Sequence, residues 1–485
     1  MKRARNETGP SMPEVLKPDI CVIGAGSGGL SVAAAAAAFG VPVVLIEKGK
    51  MGGDCLNTGC VPSKSLIAAG KHAESARRAS AFGVTAQTIA VDFRRVRDHV
   101  RGVIAAIAPN DSRERFGALG VRVIEGEARF TDPDTVVVEN LTIKARRFVI
   151  ASGSSPAIPP IGGLDKIPYL TNETVFDLDV CPTHLIVIGA GPIGFELAQA
   201  FRRLGAEVTV LEAAQPLANE DPECAAIVLD GLMREGIALR APVNIVSIKS
   251  AKKKITVGIK GADGRDETFE GSHVLVAAGR RSNVEGLGLD KAGIQYGARG
   301  IIVDKGLRTS NKRVYAIGDV AGGAQFTHLA NYHAGLVIRN ALFRLPVAVK
   351  NDLIPRVTFT DPELAHVGLT EAQAKQRHRI RILRWPFHEN DRAQTERETE
   401  GHIKVVTTKR GRILGATIVG ANAGELIASW SLAVSQGLNI RAFAGAILPY
   451  PTRAEAVKRA AIDFFAPTLT SPILRRIIAF LRVFG

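Results

Sequence analysis

Hydrophobic and polar positions along the chain repeat one layout, first over residues 19–47 and again over residues 184–212. Each copy consists of a short apolar run, a glycine-rich turn, a stretch of helical length, and a second apolar run that ends in a glutamate. This order predicts strand, turn, helix and strand, which is the building unit of a parallel sheet. The chain is therefore expected to be an α/β protein.

The first copy has no charged residue between Asp19 and Glu47, so its length also fits a membrane-spanning helix or a signal peptide. Five glycines and Pro42 argue against one continuous helix, because each of them weakens or breaks a helix. The apolar run also begins late for a signal peptide, after a segment that mixes acids with bases. We therefore expect a cytoplasmic protein.

Glycines in the first copy have the spacing of a dinucleotide-binding turn, with Gly24, Gly26 and Gly29 directly after the first strand. The first permits the tight turn, the second lets the backbone approach a pyrophosphate, and the third allows close packing of helix on strand. The helix N-terminus then faces the phosphates with unpaired N–H groups and the positive end of its dipole. Glu47 ends the second strand, where its carboxylate can accept hydrogen bonds from a ribose.

The second copy places Gly189, Gly191, Gly194 and Glu212 at the same spacing. Two dinucleotide sites suit electron transfer between FAD and a nicotinamide cofactor, and a degenerate structural repeat is the alternative. The carboxylate of Glu212 would bond a ribose 2′-hydroxyl and repel a 2′-phosphate. No arginine stands in the "EAAQP" segment that begins there, so NADH is preferred and NADPH is the alternative.

Three further segments fit a flavin domain that is split by an insertion. The runs "FVIASGSSP" and "HVLVAAGRR" are apolar strands that end in Gly153 and Gly279, as if each closes a nucleotide-binding unit. The segment "VYAIGDVAG" places Asp319 after a buried strand, where it can bond a ribityl hydroxyl or a phosphate.

Chain length and net charge limit the number of domains and the kinds of partner that we expect. A chain of 485 residues predicts about three domains, and 46% hydrophobic with 22% charged residues is ordinary for a globular protein. The net charge of +15 comes from scattered basic clusters without interleaved aromatic residues, so nucleic-acid binding is not expected. Attraction of anionic cofactors or of a membrane surface explains the charge better.

The segment "GGDCLNTGCVPSK", residues 52–64, contains Cys55 and Cys60. Only five cysteines occur in the chain, too few for a disulfide framework, and sparse thiols suit a reducing compartment. No second Cys/His pair with zinc spacing follows, so no structural metal is expected. A redox-active pair is the favoured interpretation.

These motifs together resemble the pyridine nucleotide–disulfide oxidoreductases, to which glutathione reductase, dihydrolipoamide dehydrogenase and mercuric reductase belong. The resemblance implies that Cys55 is the thiol that meets the substrate and that Cys60 is the thiol on the flavin side. It implies that Lys64 lies near the flavin and that Glu196 is its carboxylate partner. It also implies that Asp319 of "AIGD" binds FAD. A positive charge near Cys60 would favour its thiolate form.

The resemblance spans residues 19–467 and implies two Rossmann-type domains, for FAD and NAD(P), and a C-terminal α+β interface domain that builds a homodimer. The expected divisions are a flexible N-terminal tail over 1–18, the FAD-binding domain over 19–153 and 282–351, the NAD(P)-binding domain over 154–281, the interface domain over 352–466, and an amphipathic C-terminal tail over 467–485.

The chain departs from the disulfide-reducing members in the segment "LPYPTRAEAVKRAA". Tyr450 stands where those members have a catalytic histidine, whereas Glu455 keeps the spacing of the glutamate that orients it. A phenol is a poor base at neutral pH, so turnover of small disulfides should be slow. The tyrosine resembles the mercuric reductase branch, in which Cys55 and Cys60 would be thiolate ligands of the substrate metal. No vicinal cysteine pair follows Cys224 to deliver such an ion.

The tail "PTLTSPILRRIIAFLRVFG" has apolar residues at helical spacing and places Arg475 and Arg482 on another side. We expect this stripe to pack on the protein's own surface, and contact with an anionic membrane is the alternative.

The leading hypothesis is an FAD-dependent NAD(P)H oxidoreductase that reduces a metal ion, a small disulfide or another electrophile. Dihydrolipoamide dehydrogenase is the alternative within the enzymes, and a flavin-based redox sensor or electron donor at the membrane is the alternative outside them.

Overall fold

A computed structural model describes residues 14–85, 88–252 and 254–484. Its first domain is built on a five-stranded parallel sheet whose apolar strands are buried on both faces, as the continuous apolar runs predict. Helices Ser27–Ala38 and Thr327–Phe343 cover one face of this sheet and pack against each other. In spatial order the strands are Val314–Ala316, Arg147–Ile150, Ile20–Ile23, Val43–Glu47 and Val121–Glu125.

A smaller four-stranded sheet covers the other face, and the Phe130 and Phe148 rings pack edge to face between the two sheets with centroids 5.2 Å apart. Its strands, in order, are Glu14–Leu16, Leu141–Ile143, Thr135–Val138 and Arg129–Asp132. The expectation of a flexible tail over 1–18 is wrong at Glu14–Leu16, because this segment pairs in parallel with Leu141–Ile143 and becomes an edge strand. Residues 1–13 of that expected tail lie outside the described residues.

The second domain repeats the parallel architecture. Its four parallel strands, in order, are Ala238–Arg240, Glu207–Leu211, His184–Ile188 and His273–Val276. A three-stranded antiparallel sheet packs against them, formed by Val243–Ala251, Lys254–Gly261 and Asp266–Gly271. A ribbon of two antiparallel strands, Ser154–Pro156 and Arg280–Ser282, stands where the chain enters and leaves this domain.

The third domain is an antiparallel sheet backed by helices, with Trp430 fully buried in its core. In order, its strands are Arg356–Thr358, Glu363–Gly368, Ile413–Gly420, His402–Thr408 and Ile380–Pro386. Two parallel-sheet domains followed by an α+β domain confirm the predicted fold class.

Beyond these sheets, the short strands Tyr296–Gly297 and Gly300–Ile301 form a two-stranded ribbon. The α-helices are Ser27–Ala38, Gly53–Asn57, Cys60–Arg78, Phe93–Ile107, Arg113–Ala118, Pro192–Arg203, Pro222–Arg234, Thr327–Phe343, Glu371–Arg377, Asp391–Thr395, Ala423–Gln436, Arg441–Ala444, Glu455–Asp463, Ala466–Leu469 and Pro472–Leu481. Among the described residues, none of these helices has the length and apolar character needed to cross a membrane. The uncharged stretch after Asp19 is instead divided into strand, helix and strand.

The C-terminal helix Pro472–Leu481 does not pack on the body of the chain, so that expectation is wrong. None of its residues is buried, and the segments that it contacts most are its neighbours in sequence. The helix starts afresh after Thr470, with Ser471 as its N-cap and Pro472 in its first turn.

A buried lysine joins the second and third domains. Lys404, on strand His402–Thr408, is 5% exposed, and its Nζ lies 2.8 Å from Asp221, 2.9 Å from Glu371 and 3.0 Å from Glu223. Asp221 also caps helix Pro222–Arg234 of the second domain. Glu223 and Glu371 have further cationic partners in Arg384 and Lys375, so the buried Asp221 is the carboxylate that depends most on Lys404 for its charge balance.

We expect Lys404→Met to lower the thermal unfolding midpoint of the purified protein by several degrees. Removing one partner of a buried ion pair leaves uncompensated charge, at a cost of about 3–5 kcal/mol. Differential scanning calorimetry measures the effect. The matched control is Lys254→Met, which removes an exposed pair with Glu270 and should leave the midpoint nearly unchanged. Equal midpoints for the two variants would contradict the assignment.

Candidate redox-active site

The first glycine loop has the geometry that close packing demands. Gly24 has a φ of +105°, and a side chain there would collide with the carbonyl of Ala151. A side chain at Gly29 would collide with the carbonyl of Gly24, so the helix can lie this close to the strand only without one. Gly26 differs, because nothing lies within 4 Å of the position that its Cβ would take. The open side of the loop is thus free for a ligand.

The second loop repeats this arrangement residue for residue. Gly189 has a φ of +109° and faces the carbonyl of Ala277, while a side chain at Gly194 would collide with the carbonyl of Gly189. Gly191, in the middle, again has nothing within 4 Å of its would-be Cβ. The repeated layout of the sequence is therefore a repeated structure, with one open backbone position in each copy.

Glu47 and Glu212 hold the two loops in shape. Each carboxylate accepts hydrogen bonds from two backbone N–H groups, one within its glycine loop and one just after its own strand. The donors are Ala25 at 2.6 Å and Gly49 at 2.7 Å for Glu47, and Ala190 at 2.7 Å and Ala214 at 2.8 Å for Glu212. Both carboxylates also border the cavity described next.

One large cavity, of about 2030 Å³, extends past both glycine loops and the cysteine pair. It is larger than the ~300–1,000 Å³ of an ordinary ligand pocket. Of the residues predicted to bind cofactors or electrons, those on its wall are Gly24, Gly26, Glu47, Cys55, Cys60, Lys64, Gly153, Gly189, Gly191, Glu196, Glu212, Gly279 and Asp319. Gly153 and Gly279 also have no atom within 4 Å of a would-be Cβ. These residues fit two dinucleotides, because open backbone and helix N-termini face the cavity at two places.

Asp319 is connected to the cysteine segment by a chain of polar contacts. Ser154 Oγ donates a hydrogen bond to Asp319 Oδ2 at 2.6 Å, and Arg280 Nε donates to Ser154 Oγ at 2.8 Å. The other end of Arg280 lies 3.0 Å from Asp54 Oδ2, next to Cys55 in sequence. Burial raises the pKa of Asp319, and the hydroxyl of Ser154 acts against this shift.

Asp54 in turn fixes the loop between the two cysteines. Its Oδ1 accepts hydrogen bonds from the Thr58 hydroxyl at 2.7 Å and from Asn172 Nδ2 at 3.1 Å, while its Oδ2 meets Arg280. The Thr58 N–H donates to the Asp54 carbonyl at 2.8 Å. Every oxygen of this side chain therefore has a partner, and the loop is held at both its beginning and its end.

The two thiols are adjacent but differ in acidity. Cys60 begins helix Cys60–Arg78, and its Sγ lies 3.4 Å from the hydroxyl of Thr327. A hydrogen bond from the Cys55 thiol is the main cause that lowers the pKa of Cys60 to about 6, with contributions from Thr327 and from the charge of Lys64. The same hydrogen bond and burial raise the pKa of Cys55. Cys60 thus carries the negative charge at neutral pH.

Lys64 and Glu196 form the expected pair, with Nζ and Oε2 2.7 Å apart. Glu196 lies on helix Pro192–Arg203 and is 5% exposed, and its Oε1 accepts a hydrogen bond from the backbone N–H of Phe359 at 3.0 Å. Lys64 Nζ also lies 4.5 Å from the centroid of the Phe359 ring. The ammonium group is held between a carboxylate and an aromatic face.

Tyr450 and Glu455 lie outside the cavity of the chain that bears them. Tyr450 is 68% exposed, and its hydroxyl donates to Asp391 Oδ2 at 2.7 Å, which raises the pKa of the phenol. Glu455 begins helix Glu455–Asp463 and pairs with Arg459 at 3.2 Å. The structure therefore orients Tyr450 through Asp391, a residue that the sequence did not indicate.

The remaining cysteines are buried or half-buried and poorly acidic. Burial raises the pKa of Cys21 and Cys224, and it raises the pKa of Cys181 to about 11. His328, beside Thr327, has its Nε2 2.8 Å from the carbonyl oxygen of Pro355, which can only accept a hydrogen bond. The site residues that the sequence analysis missed are Thr327, Arg280, Asp54, Ser154, Asn172 and Asp391. Arg280, Asp54 and Ser154 lie within segments that it singled out, and the other three lie outside them.

Comparison with known proteins places these features in a family. The family model described as "Pyridine nucleotide-disulphide oxidoreductase" matches residues 18–334, and that of its dimerisation domain matches residues 354–461. A mercuric reductase of Staphylococcus aureus is 36% identical over 92% of this chain and 82% of its own length. A dihydrolipoyl dehydrogenase of Geobacillus stearothermophilus is 36% identical over 92% of this chain and 96% of its own length.

Solved structures agree with the sequence comparison. The Cu(II) complex of the HOCl-induced flavoprotein disulfide reductase RclA from Escherichia coli matches with a TM-score of 0.83 and 26% identity, over 92% of this chain and 99% of that one. LpdA from Mycobacterium tuberculosis matches with a TM-score of 0.84 and 27% identity over the same shares. The dimerisation domain indicates a homodimer. The chain belongs to the pyridine nucleotide–disulfide oxidoreductases and is a flavin-dependent enzyme of that family.

Proposed function

We propose that this enzyme carries electrons from NADH, through FAD, to a Cys55–Cys60 disulfide, and that the resulting dithiol reduces a soft metal ion. The observation that carries the proposal is the asymmetric thiol pair. One thiol is acidic and stabilised by its neighbours, and the other is a protonated donor at its side. The two sulfurs lie in a cavity that both dinucleotide loops border.

The residues that would hold FAD are those of the first loop together with Glu47, Gly153 and Asp319. Gly26 leaves the backbone open to a pyrophosphate, and Asp319 is a half-buried acceptor for a hydroxyl group of the flavin cofactor. When bound, FAD would supply the two-electron link between the nicotinamide and the disulfide. Lys64 would keep a positive charge beside Cys60, and this charge favours the thiolate.

The second loop would hold the nicotinamide cofactor, and NADH is the preferred one. The carboxylate of Glu212 stands at the end of its strand and is held there by backbone N–H groups. A 2′-phosphate would meet this negative charge directly. The nearest arginine along the sheet, Arg240, is paired with Glu267 at 3.0 Å, so its charge is already balanced.

A soft metal ion fits the acceptor side better than a small disulfide. Two thiolates are preferred ligands of such ions, and Cys55 and Cys60 supply them side by side. The group at the position of the family's histidine is a tyrosine whose hydrogen bond to Asp391 raises its pKa, so it is a poor base at neutral pH. The similar mercuric reductases and the Cu(II) complex of RclA support the same class of acceptor.

Lipoamide is the second candidate acceptor, because the similarity to dihydrolipoyl dehydrogenase is as high and covers the same share of the chain. A redox sensor or a membrane electron donor would contain the same cavity but would show little turnover with a diffusible acceptor.

Purified enzyme should oxidise NADH with thiol-buffered Hg(II) faster than with oxidised lipoamide at matched concentration. Cys55→Ser should abolish the metal-dependent rate while NADH still bleaches the flavin, because that thiol meets the acceptor.

Tyr450→His should raise lipoamide turnover by ~10²-fold or more without a matching gain for Hg(II), because only disulfide reduction needs a base. Tyr450→Phe is the matched control. Brisk lipoamide turnover by the unchanged enzyme would refute the metal proposal.

The two loops can be assigned by adding side chains where the protein leaves room. Gly26 and Gly191 have extended backbones and open space, so valine fits both without strain. We expect Gly26→Val to purify folded but depleted of flavin. Gly191→Val should retain flavin and show a KM for NADH at least ~10-fold higher. Gly102→Val, at another open position, is the control. Flavin loss in Gly191→Val instead would reverse the assignment.

The acidity of Cys60 can be tested through Thr327, which touches its sulfur and no charged group of the site. Thr327→Val removes one hydrogen bond to the thiolate, so the pKa of Cys60 should rise above about 6. The thiolate should then be lost at a higher pH as the solution is acidified. A pH titration of thiolate absorbance in the reduced protein measures the midpoint. Cys55→Ala should raise it further, because the thiol of Cys55 is the main cause of the shift and alanine cannot donate a hydrogen bond. An unchanged midpoint in Thr327→Val would contradict the contact.

A further inference from the structure

The helix Pro472–Leu481 presents a wide apolar face to solvent. Its apolar side chains lie within less than half of the helix circumference, and the two residues at the centre, Ile477 and Leu481, are 48% and 58% exposed. The apolar side chains on this face are Ile473, Leu474, Ile477, Ile478, Phe480 and Leu481, and Phe484 continues it beyond the helix. Phe480 and Phe484 pack edge to face with their centroids 5.1 Å apart. We call this surface the tail face.

Basic residues flank the tail face and no acidic residue balances them. Arg475 lies nearly opposite its centre, and Arg476 and Arg482 lie outside its two edges. All three are exposed, and within the described part of the chain none forms an ion pair. After Asp463 the sequence contains no aspartate or glutamate. The segment therefore combines exposed apolar area with a charge of one sign.

We propose that the tail face docks this enzyme on an anionic lipid surface. An amphipathic helix with arginines on its polar side lies in the membrane interface, where apolar burial and attraction to anionic headgroups add together. The large positive net charge of the whole chain also attracts the enzyme to an anionic surface.

The charge pattern argues against a second copy of this chain as the occupant. A symmetric pair of tail faces would bury the apolar side chains but would leave all three arginines without an anionic partner, since the segment has no carboxylate. Anionic lipids such as phosphatidylglycerol have headgroups of the opposite charge, and their acyl chains can cover the tail face, which no other described part of this chain buries.

The test is co-sedimentation of the FAD-loaded enzyme with vesicles rich in phosphatidylglycerol and with vesicles of pure phosphatidylcholine. The double variant Ile477→Glu/Leu481→Glu removes the apolar face, and Arg475→Gln/Arg482→Gln removes charge only. The matched control is Val180→Glu/Val246→Glu, which changes two exposed valines elsewhere. Flavin reduction by NADH and the mass in solution are measured for each variant to establish folding and oligomeric state.

The unchanged enzyme should bind the anionic vesicles and lose binding as salt is raised. The glutamate variant should bind at least about tenfold more weakly. The glutamine variant should lose about fivefold for each arginine replaced, and the control should match the unchanged enzyme. The proposal is overturned if the unchanged enzyme does not sediment with anionic vesicles or binds neutral ones equally. It is also overturned if the glutamate variant binds normally, or if that variant loses a subunit, because the tail face would then be an interface between copies.

Discussion

A single buried carboxylate, that of Glu196, joins the three domains around the redox site. It lies on the helix that the second glycine loop starts, it pairs with Lys64 on the helix that Cys60 starts, and it accepts the N–H of Phe359 at the edge of the third domain. A carboxylate buried to this degree needs both partners to offset the cost of its desolvation. The requirement for pairing thus holds the helix after the second glycine loop, the cysteine helix and the edge of the third domain at fixed distances from one another.

A second chain of contacts, centred on Arg280, joins the cysteine loop to the first and second domains. Arg280 stands where the chain leaves the second domain, and it reaches Ser154 at the point of entry and Asp54 beside the cysteines. Asp319 completes the connection through Ser154. The side chain of Arg280 is only 11% exposed and its charge is balanced by the carboxylates it meets, so these contacts tie the cysteine loop to the helical turn Gly318–Ala321 that contains Asp319.

The features that the sequence predicted are those that depend on neighbours in sequence. The glycine spacing predicts the loops because Gly24 and Gly29 lie close together in sequence and in space. The spacing of Cys55 and Cys60 predicts the thiol pair for the same reason. Thr327 and Cys60 are 267 residues apart, so no local pattern could have joined them. The strand Glu14–Leu16 was missed because three residues carry no periodicity, and the tail was misjudged because a stripe of apolar residues does not reveal what covers it.

The interlocked contacts around the cavity and the exposed Tyr450 are separate features of the structure, and this separation bears on how the proposed enzyme could change its acceptor. Glu196 and Arg280 each have partners in more than one domain, and Asp319 is joined to Arg280 through Ser154. Tyr450 is exposed, lies outside the cavity of its own chain and is oriented only by Asp391. Its hydroxyl is held by Asp391, so a substitution of Tyr450 should leave the buried contacts undisturbed. Under the proposed function, a tyrosine in place of a histidine would change proton supply to the acceptor, and hence which acceptor is reduced, while leaving the path of the electrons intact.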